Sequence, residues 1–326
     1  MRRILIIKLG ALGDVVMATP LVEALLSHHA GDEIYLLTAP LFAPVFQSWP
    51  ALTVRAQPRH GLRNMLTTIR WLRRQRFTRI YDLQSNDRSA ILCALSGARE
   101  RIGNHPRFPY THTPAIPWRG ESHIFERMCE VLAAADVKVT KKRPLLPTTP
   151  AERHAVAAWL SAKRIDQRPF ALLHAGASAG RPEKRWPYFG ELAAHIRAAG
   201  FVPVWLGTES ERTLNRALME EGDIDSSGAF SIAELAHLAR HAVFAVTNDS
   251  GPMHVLSCAA IPVFALFGPS DWQRNHALGQ QAQVIAGVEV LAAYRNQRTA
   301  NCLSEIPVAL VWDRIRHHKD VRAYLG

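Results

Sequence analysis

The chain has 326 residues, of which 48% are hydrophobic and 21% charged, and a formal net charge of +11. This length exceeds one ordinary core and suits two domains, while the apolar content excludes long disordered stretches. The excess of cations calls for a polyanionic neighbour such as nucleic acid, phospholipid or a phosphorylated glycolipid.

The N-terminal half alternates short apolar runs with longer amphipathic ones. Strands are expected at Arg3 to Lys8, Glu33 to Thr38, Leu52 to Ala56 and Arg79 to Gln84. Helices are expected at Asp14 to His28, His60 to Arg76, Asp87 to Leu95 and His123 to Ala135, the rhythm of a doubly wound α/β fold. Pro20 predicts a kink or a late start in the first helix. Lys8 interrupts the first apolar run and no cleavage site follows, so MRRILIIKLG does not read as a signal peptide. No uncharged run reaches the ~18 residues that a membrane helix needs.

Arg63, Arg70, Arg73, Arg74, Arg76 and Arg79 crowd about five helical turns. That run is either a solvated face or an anion-docking surface. The stretch DVKVTKKRPLLPTTP, Asp136 to Pro150, reads as an interdomain linker and divides the chain into domains 1–150 and 151–326. Beyond it a helix is expected at Ala151 to Lys163, with strands at Pro169 to His174, Val202 to Leu206, Ala242 to Thr247 and Pro262 to Phe267. Further helices are expected at Trp186 to Ala199, Ser210 to Glu221, Ser231 to Arg240 and Val308 to Tyr324. Ser231 and Glu234 form a capping box.

Three loops stand out. KLGALGDVVMATP, Lys8 to Pro20, turns at Gly10 and Gly13 and opens a helix at Asp14, which is read either as an N-cap or as a carboxylate at the ligand-binding edge of an open sheet. Its GxxG spacing departs from GxGxxG and argues against a dinucleotide fold. HAGASAGRPEKRWP, His174 to Pro187, follows a strand. TNDSGPMH, Thr247 to His254, joins a strand to a helix begun by Pro252, so that free amides and the positive helix end converge on one spot suited to phosphate. The bland alternatives are that Asp249 and Ser250 cap the helix and that His254 packs beneath the turn.

Cys93, Cys129, Cys258 and Cys302 lie far apart without metal-ligand spacing and read as reduced and structural. Asp223 and Asp225 form a DID pair on a segment that reads as a strand leading away from these loops, and are expected at the surface.

Together the three loops resemble the heptosyltransferases, the family 9 glycosyltransferases of lipopolysaccharide inner-core synthesis, over most of the chain from Ile4 to about Gly279. The resemblance implies a GT-B arrangement, two Rossmann-like domains facing a central cleft, with acceptor bound by domain 1–150 and donor by domain 151–326, which ends in a helical tail. It implies inverting, metal-independent transfer of heptose from ADP-heptose, with no cofactor. Asp14 takes the position of the catalytic base, Lys184 that of the pyrophosphate lysine, and Ser178 that of a hydroxyl in the same loop. Arg185 is a neighbouring candidate, whereas Arg181 and Glu183 read as solvated charges. Asp249, Ser250, Gly251 and His254 match a D-[ST]-G-x-x-H pattern that wraps the donor.

Glu209 falls at a ribose-holding position, with Glu211 its competitor, and Phe230 lies either by the base or in the core. For the acceptor, Gln84, Asn86 and Arg88 end an N-domain strand, and the arginine run suits carboxylates or phosphates of an anionic lipopolysaccharide or lipid A. The implied location is cytoplasmic, with peripheral contact at the inner membrane. The stretch after Gly279 lacks the paired cysteines of many relatives. A different nucleotide sugar on the same fold is the first alternative. A basic nucleic-acid-binding protein, with Trp71 and Phe77 beside arginines, is the second; no nucleic-acid partner is expected from the resemblance.

Overall fold

A computed structural model of the protein describes residues 1–104, 108–116, 122–178, 180–268, 270–286 and 302–325. The chain divides into two compact units, Met1–Pro147 and Thr148–Gly326.

The first unit carries five parallel strands: β1 (Arg3–Ile7), β2 (Glu33–Thr38), β3 (Thr53–Ala56), β4 (Arg79–Asp82) and β5 (Glu100–Gly103). Their order is β3-β2-β1-β4-β5. The helices are α1 (Leu12–Met17), α2 (Thr19–His28), α3 (Leu62–Gln75), α4 (Asp87–Leu95) and α5 (Ile124–Ala133). Strand β1 is buried on both faces, which is why RILII reads as a continuous apolar run rather than an alternating one. Leu5 and Ile7 pack with Leu72 of α3 and Leu92 of α4.

The expected first helix is two helices. Pro20 lies in the opening turn of α2, where its missing N–H costs nothing, and the break falls at Ala18. Of the expected arginine run, Arg76 ends α3 in the left-handed conformation. Arg79 belongs to β4, where it pairs with Glu100 across the sheet. Trp71 and Phe77 are not a stacking platform for bases: Phe77 is buried, and both rings pack edge-on against each other and against Tyr35. Residues 136–149 have no regular structure, yet they lie along α2, with Lys141 bridged to Glu23, the Leu145 amide on Thr19 Oγ1, and Leu146 fully buried.

The second unit carries six parallel strands in the order β11-β10-β9-β6-β7-β8. These are β6 (Phe170–His174), β7 (Val202–Trp205), β8 (Ile224–Asp225), β9 (Phe244–Asn248), β10 (Val263–Phe267) and β11 (Val284–Ala286). Around them lie α6 (Pro150–Ala162), α7 (Phe189–Ala198), α8 (Arg212–Leu218), α9 (Ile232–Ala239) and α10 (Gly251–Leu256), followed by two helices, Val308–Arg316 and Lys319–Arg322, within the expected tail. Alternate residues of β6 feed opposite cores, Ala171 and Leu173 into one and Phe170 and Leu172 into the other. Phe230 is partly buried and packs against the core, with its ring 4.9 Å from that of Trp159.

Asp223 and Asp225 are not free surface residues. The Asp223 side chain is fully buried, bridged to Arg197 at 2.8 Å and accepting from Trp205 Nε1 at 2.8 Å. Asp225 bridges Arg212 at 2.7 Å. Both tie an edge strand to its neighbours by charge because a two-residue strand buries too little to hold itself. Asp223→Ala leaves Arg197 and the Trp205 indole N–H without this partner, and is expected to lower the unfolding free energy by about 3 kcal/mol. Urea denaturation measures this, and a wild-type midpoint would show that the pair contributes nothing.

Candidate active site

In an open parallel sheet the ligand-binding crevice lies at the carboxyl ends of the strands where the order reverses. The reversal falls between β1 and β4 in the first unit and between β6 and β9 in the second. The loops singled out in the sequence follow β1, β6 and β9, and the acceptor candidates follow β4.

In the first unit Asp14 is not the helix cap. Helix α1 starts at Leu12 with Ala11 in the cap position and no side-chain cap bond, so Asp14 stands in the first turn with its carboxylate free of the backbone. Its partner is Lys8 Nζ at 3.3 Å, a side chain only 3% exposed that also donates to the Leu83 carbonyl. Of the two glycines expected to turn this loop, only Gly10 has a positive φ, and a Cβ there would sit 2.5 Å from the Phe42 ring. Gly13 lies inside α1.

Gln84 holds the loop. Its side-chain oxygen accepts from the Leu9 and Gly10 amides at 2.8 and 3.2 Å. Gln84 is in turn placed by Asp82, a buried carboxylate that accepts from the Gln84 and Ser85 amides and from the Tyr110 hydroxyl. Asn86 spends its side-chain oxygen as the N-cap of α4, accepting from the Ser89 amide. Gln84 and Asn86 line a cavity of about 190 Å³ together with Lys8, Asp14, Asn104 and Arg127; Arg88 is not part of its lining. A larger cavity of about 420 Å³, between α2 and residues 136–141, contains none of these groups.

In the second unit Asn248, at the end of β9, is fully buried. Its carboxamide oxygen accepts from the Trp186 amide at 3.0 Å, and its nitrogen donates to the Ala175 and Gly176 carbonyls at 3.0 Å. One side chain thus fixes both ends of the loop that carries Ser178 and Lys184. Lys184 Nζ lies 2.6 Å from Asp249 Oδ2, which also accepts from the Ser270 hydroxyl. Ser250 is the cap residue of α10, but its hydroxyl faces His174 Nδ1 at 3.2 Å rather than capping the helix. Gly251 and Pro252 form the first turn of α10, and His254 lies one turn on, 5% exposed. Ser178 and Arg185 are exposed, and Arg181 and Glu183 pair with each other at the surface.

The two glutamates after β7 point differently. Glu209 is 72% exposed and bridges Arg212. Glu211 turns inward, lying 3.7 Å from His174 Nε2 and accepting from the Thr208 amide at 2.8 Å. Gly176 exists to admit it, since a Cβ there would fall 1.8 Å from its Oε1. Burial pushes the Glu211 carboxyl up, but His174 and the Thr208 amide outweigh it and hold the group at about 2 against an ordinary 4.5.

Lys8, Arg127, His174, Asn248 and Ser270 are absent from the sequence-derived site, and Glu211 enters there only as a competitor. Two signals were available. Lys8 is a cation ending an apolar strand, and Thr208-x-x-Glu211 is a capping box that turns its glutamate back toward the strand end.

Cys93, Cys129 and Cys258 are free thiols, each pushed up by burial, Cys129 to about 12. Among the described residues no group of three or more His, Cys, Asp or Glu is placed to hold a metal ion, and no helix is long and apolar enough to cross a membrane. The missing cysteine pair falls largely on residues 287–301, outside the described residues.

Two α/β units, each built on a parallel sheet with charged loops at its switch point, match the Rossmann-like fold of GT-B glycosyltransferase structures. Residues 65–303 match glycosyltransferase family 9 (heptosyltransferase), and the chain belongs to that family. It is 26% identical over 167 residues to lipooligosaccharide heptosyltransferase 2 of Haemophilus influenzae, a match covering 48% of this chain and 47% of that protein. The chain thus spans about half the length of that relative. The fold is that of a family 9 glycosyltransferase from Veillonella parvula (TM-score 0.81, 22% identity, 99% of this chain and 97% of that one). It is also that of the E. coli ADP-heptose lps heptosyltransferase II (TM-score 0.73, 21% identity, 100% and 98%).

Because the folded-state Glu211 carboxyl lies below its unfolded value, its stabilising contribution is complete above pH 4.5 and is lost as pH falls through about 2. Urea midpoints of wild type are therefore expected to fall more steeply across that window than those of Glu211→Gln. Parallel profiles would contradict the assignment.

Proposed function

We propose that the protein transfers a heptose from ADP-heptose to an anionic lipopolysaccharide inner-core acceptor, with inversion and without a metal ion, on the cytoplasmic side. The observation that carries this reading is Lys184, held 2.6 Å from Asp249 one residue before the cap of α10, in a loop clamped at both ends by Asn248. A departing diphosphate gains negative charge as the glycosidic bond breaks, and a fixed ammonium at the start of α10 stabilises it most when that charge is greatest. Asp249 repels phosphate, so it aims Lys184 at the diphosphate and meets the donor through sugar hydroxyls, which a carboxylate accepts from. Family membership and the ADP-heptose named for the E. coli structure support the choice of nucleotide and sugar.

Asp14 is the base. As the acceptor hydroxyl oxygen bonds to the anomeric carbon, its proton passes to the Asp14 carboxylate and the bond to the diphosphate breaks on the opposite face, the electron pair leaving with the phosphate oxygen. The Lys8 ammonium, 3.3 Å away and itself anchored on the Leu83 carbonyl, holds the Asp14 carboxylate in place for that transfer. Lys8 and Arg127 at the cavity suit an acceptor bearing carboxylate or phosphate.

Asp14→Asn is expected to remove transfer while leaving ADP affinity within a few fold. Lys184→Ala should weaken ADP binding by about 2 kcal/mol, with wild-type transfer persisting in EDTA. A radiolabelled-donor assay with calorimetry reads all three. Full activity in Asp14→Asn, or wild-type affinity in Lys184→Ala, would overturn the assignment of that residue.

A further inference from the structure

Helix α3 has no part in the site described above, and its outer face has an unusual composition. Its sequence, LRNMLTTIRWLRRQ, contains no acidic residue. Thr68 and Leu72 are buried, and Met65, Ile69 and Trp71 pack beside them against the sheet. On a 3.6-residue turn the opposite side gathers Leu62, Arg73, Leu66, Arg70, Arg63 and Arg74 into an arc of about 120°. All four arginines on it are exposed, and Leu62 and Leu66 are 81% and 56% exposed.

A solvated helix face commonly mixes acids with bases, and single exposed aliphatic residues are ordinary, but here two exposed leucines lie among arginines alone. A nucleic-acid surface would use the arginines but has no use for the leucines, and the nearby rings that could stack on bases are locked with Tyr35. Arginines interleaved with exposed leucines on one helical face match an interface of another kind. Guanidinium groups meet anionic headgroups while the aliphatic side chains enter the acyl boundary.

We propose that the outer face of α3 docks the protein on an anionic lipid bilayer, with Arg63, Arg70, Arg73 and Arg74 meeting the headgroups and Leu62 and Leu66 inserted between them. The helix lies parallel to the surface along about 21 Å. This goes beyond the proposed function and stands on the helix alone. It would hold the enzyme where a lipid-anchored acceptor is presented, and would do the same for any other acceptor in that layer.

The test is sedimentation of the full chain with vesicles of phosphatidylglycerol and phosphatidylcholine, compared with phosphatidylcholine alone, over a range of salt. The expected result is capture by the anionic vesicles only, weakening as salt rises. Arg70→Glu combined with Arg74→Glu should reduce capture at least tenfold, given about fivefold for each arginine near such a surface. Leu62→Ser combined with Leu66→Ser should reduce it severalfold while leaving the salt dependence in place. Unchanged thermal unfolding and ADP binding in the variants would confirm intact units. Equal capture by zwitterionic vesicles, no capture by either, or capture that survives both pairs of substitutions overturns the proposal. Retention on single-stranded DNA that is lost in the same variants, without vesicle binding, would assign the face to nucleic acid instead. Loss of ADP binding in wild type would count against the proposed reaction and not against the helix.

Discussion

Parallel strands end in loops, and loops of bare backbone hold charged side chains poorly. In each unit a single carboxamide overcomes this limit. Asn248 donates two hydrogen bonds and accepts one, joining the residues just beyond β6 to the amide of Trp186, so that the segment between them is closed like a loop between two fixed posts. Gln84 does the same for the turn after β1 by accepting from two successive amides. A carboxamide suits this task because it offers donor and acceptor on one rigid plane and carries no charge of its own to compete with phosphate. Everything proposed for Lys184 and Asp14 depends on loops that would otherwise wander by more than a hydrogen-bond length.

Charge at the two sites is arranged by pairing rather than by accumulation. Lys184 faces Asp249, Lys8 faces Asp14, and Glu211 faces His174. Each pair is at least half withdrawn from water, where an unpaired charge would cost far more than a surface one. In the proposed reaction the first two pairs differ in which member is used. In the second unit the cation is presented and the carboxylate aims it. In the first the carboxylate is presented and the buried lysine holds it in place. The overall positive charge of the chain is thus not spent at the site, and part of it lies in the four exposed arginines on the outer face of α3.

Much of this was legible in the sequence because central parallel strands are buried on both faces and leave long apolar runs, as RILII and FALLH do. Edge strands leave weaker signals: β5 reads ERIG, half of it charged, and β11 has three residues, so neither stands out. The loops could be located from glycine, proline and the carboxylates that follow each strand. What each carboxylate does could not be. Asp14 reads as a cap until the helix is seen to begin two residues earlier, and the partners of Lys184 and Trp186 lie 65 and 62 residues away in the chain. Glu209 and Glu211 differ only in which way a single tight turn points them, a choice made by the Thr208 amide and by the space that Gly176 leaves.

The central claim is that the clamped loops of the second unit form a nucleotide diphosphate site that needs no metal. Calorimetric titration of the purified protein in EDTA with ADP, UDP and GDP tests it most directly. Saturable binding that favours ADP is the predicted result. Failure of all three nucleotides to bind would contradict the account, and a preference for UDP or GDP would contradict its choice of donor.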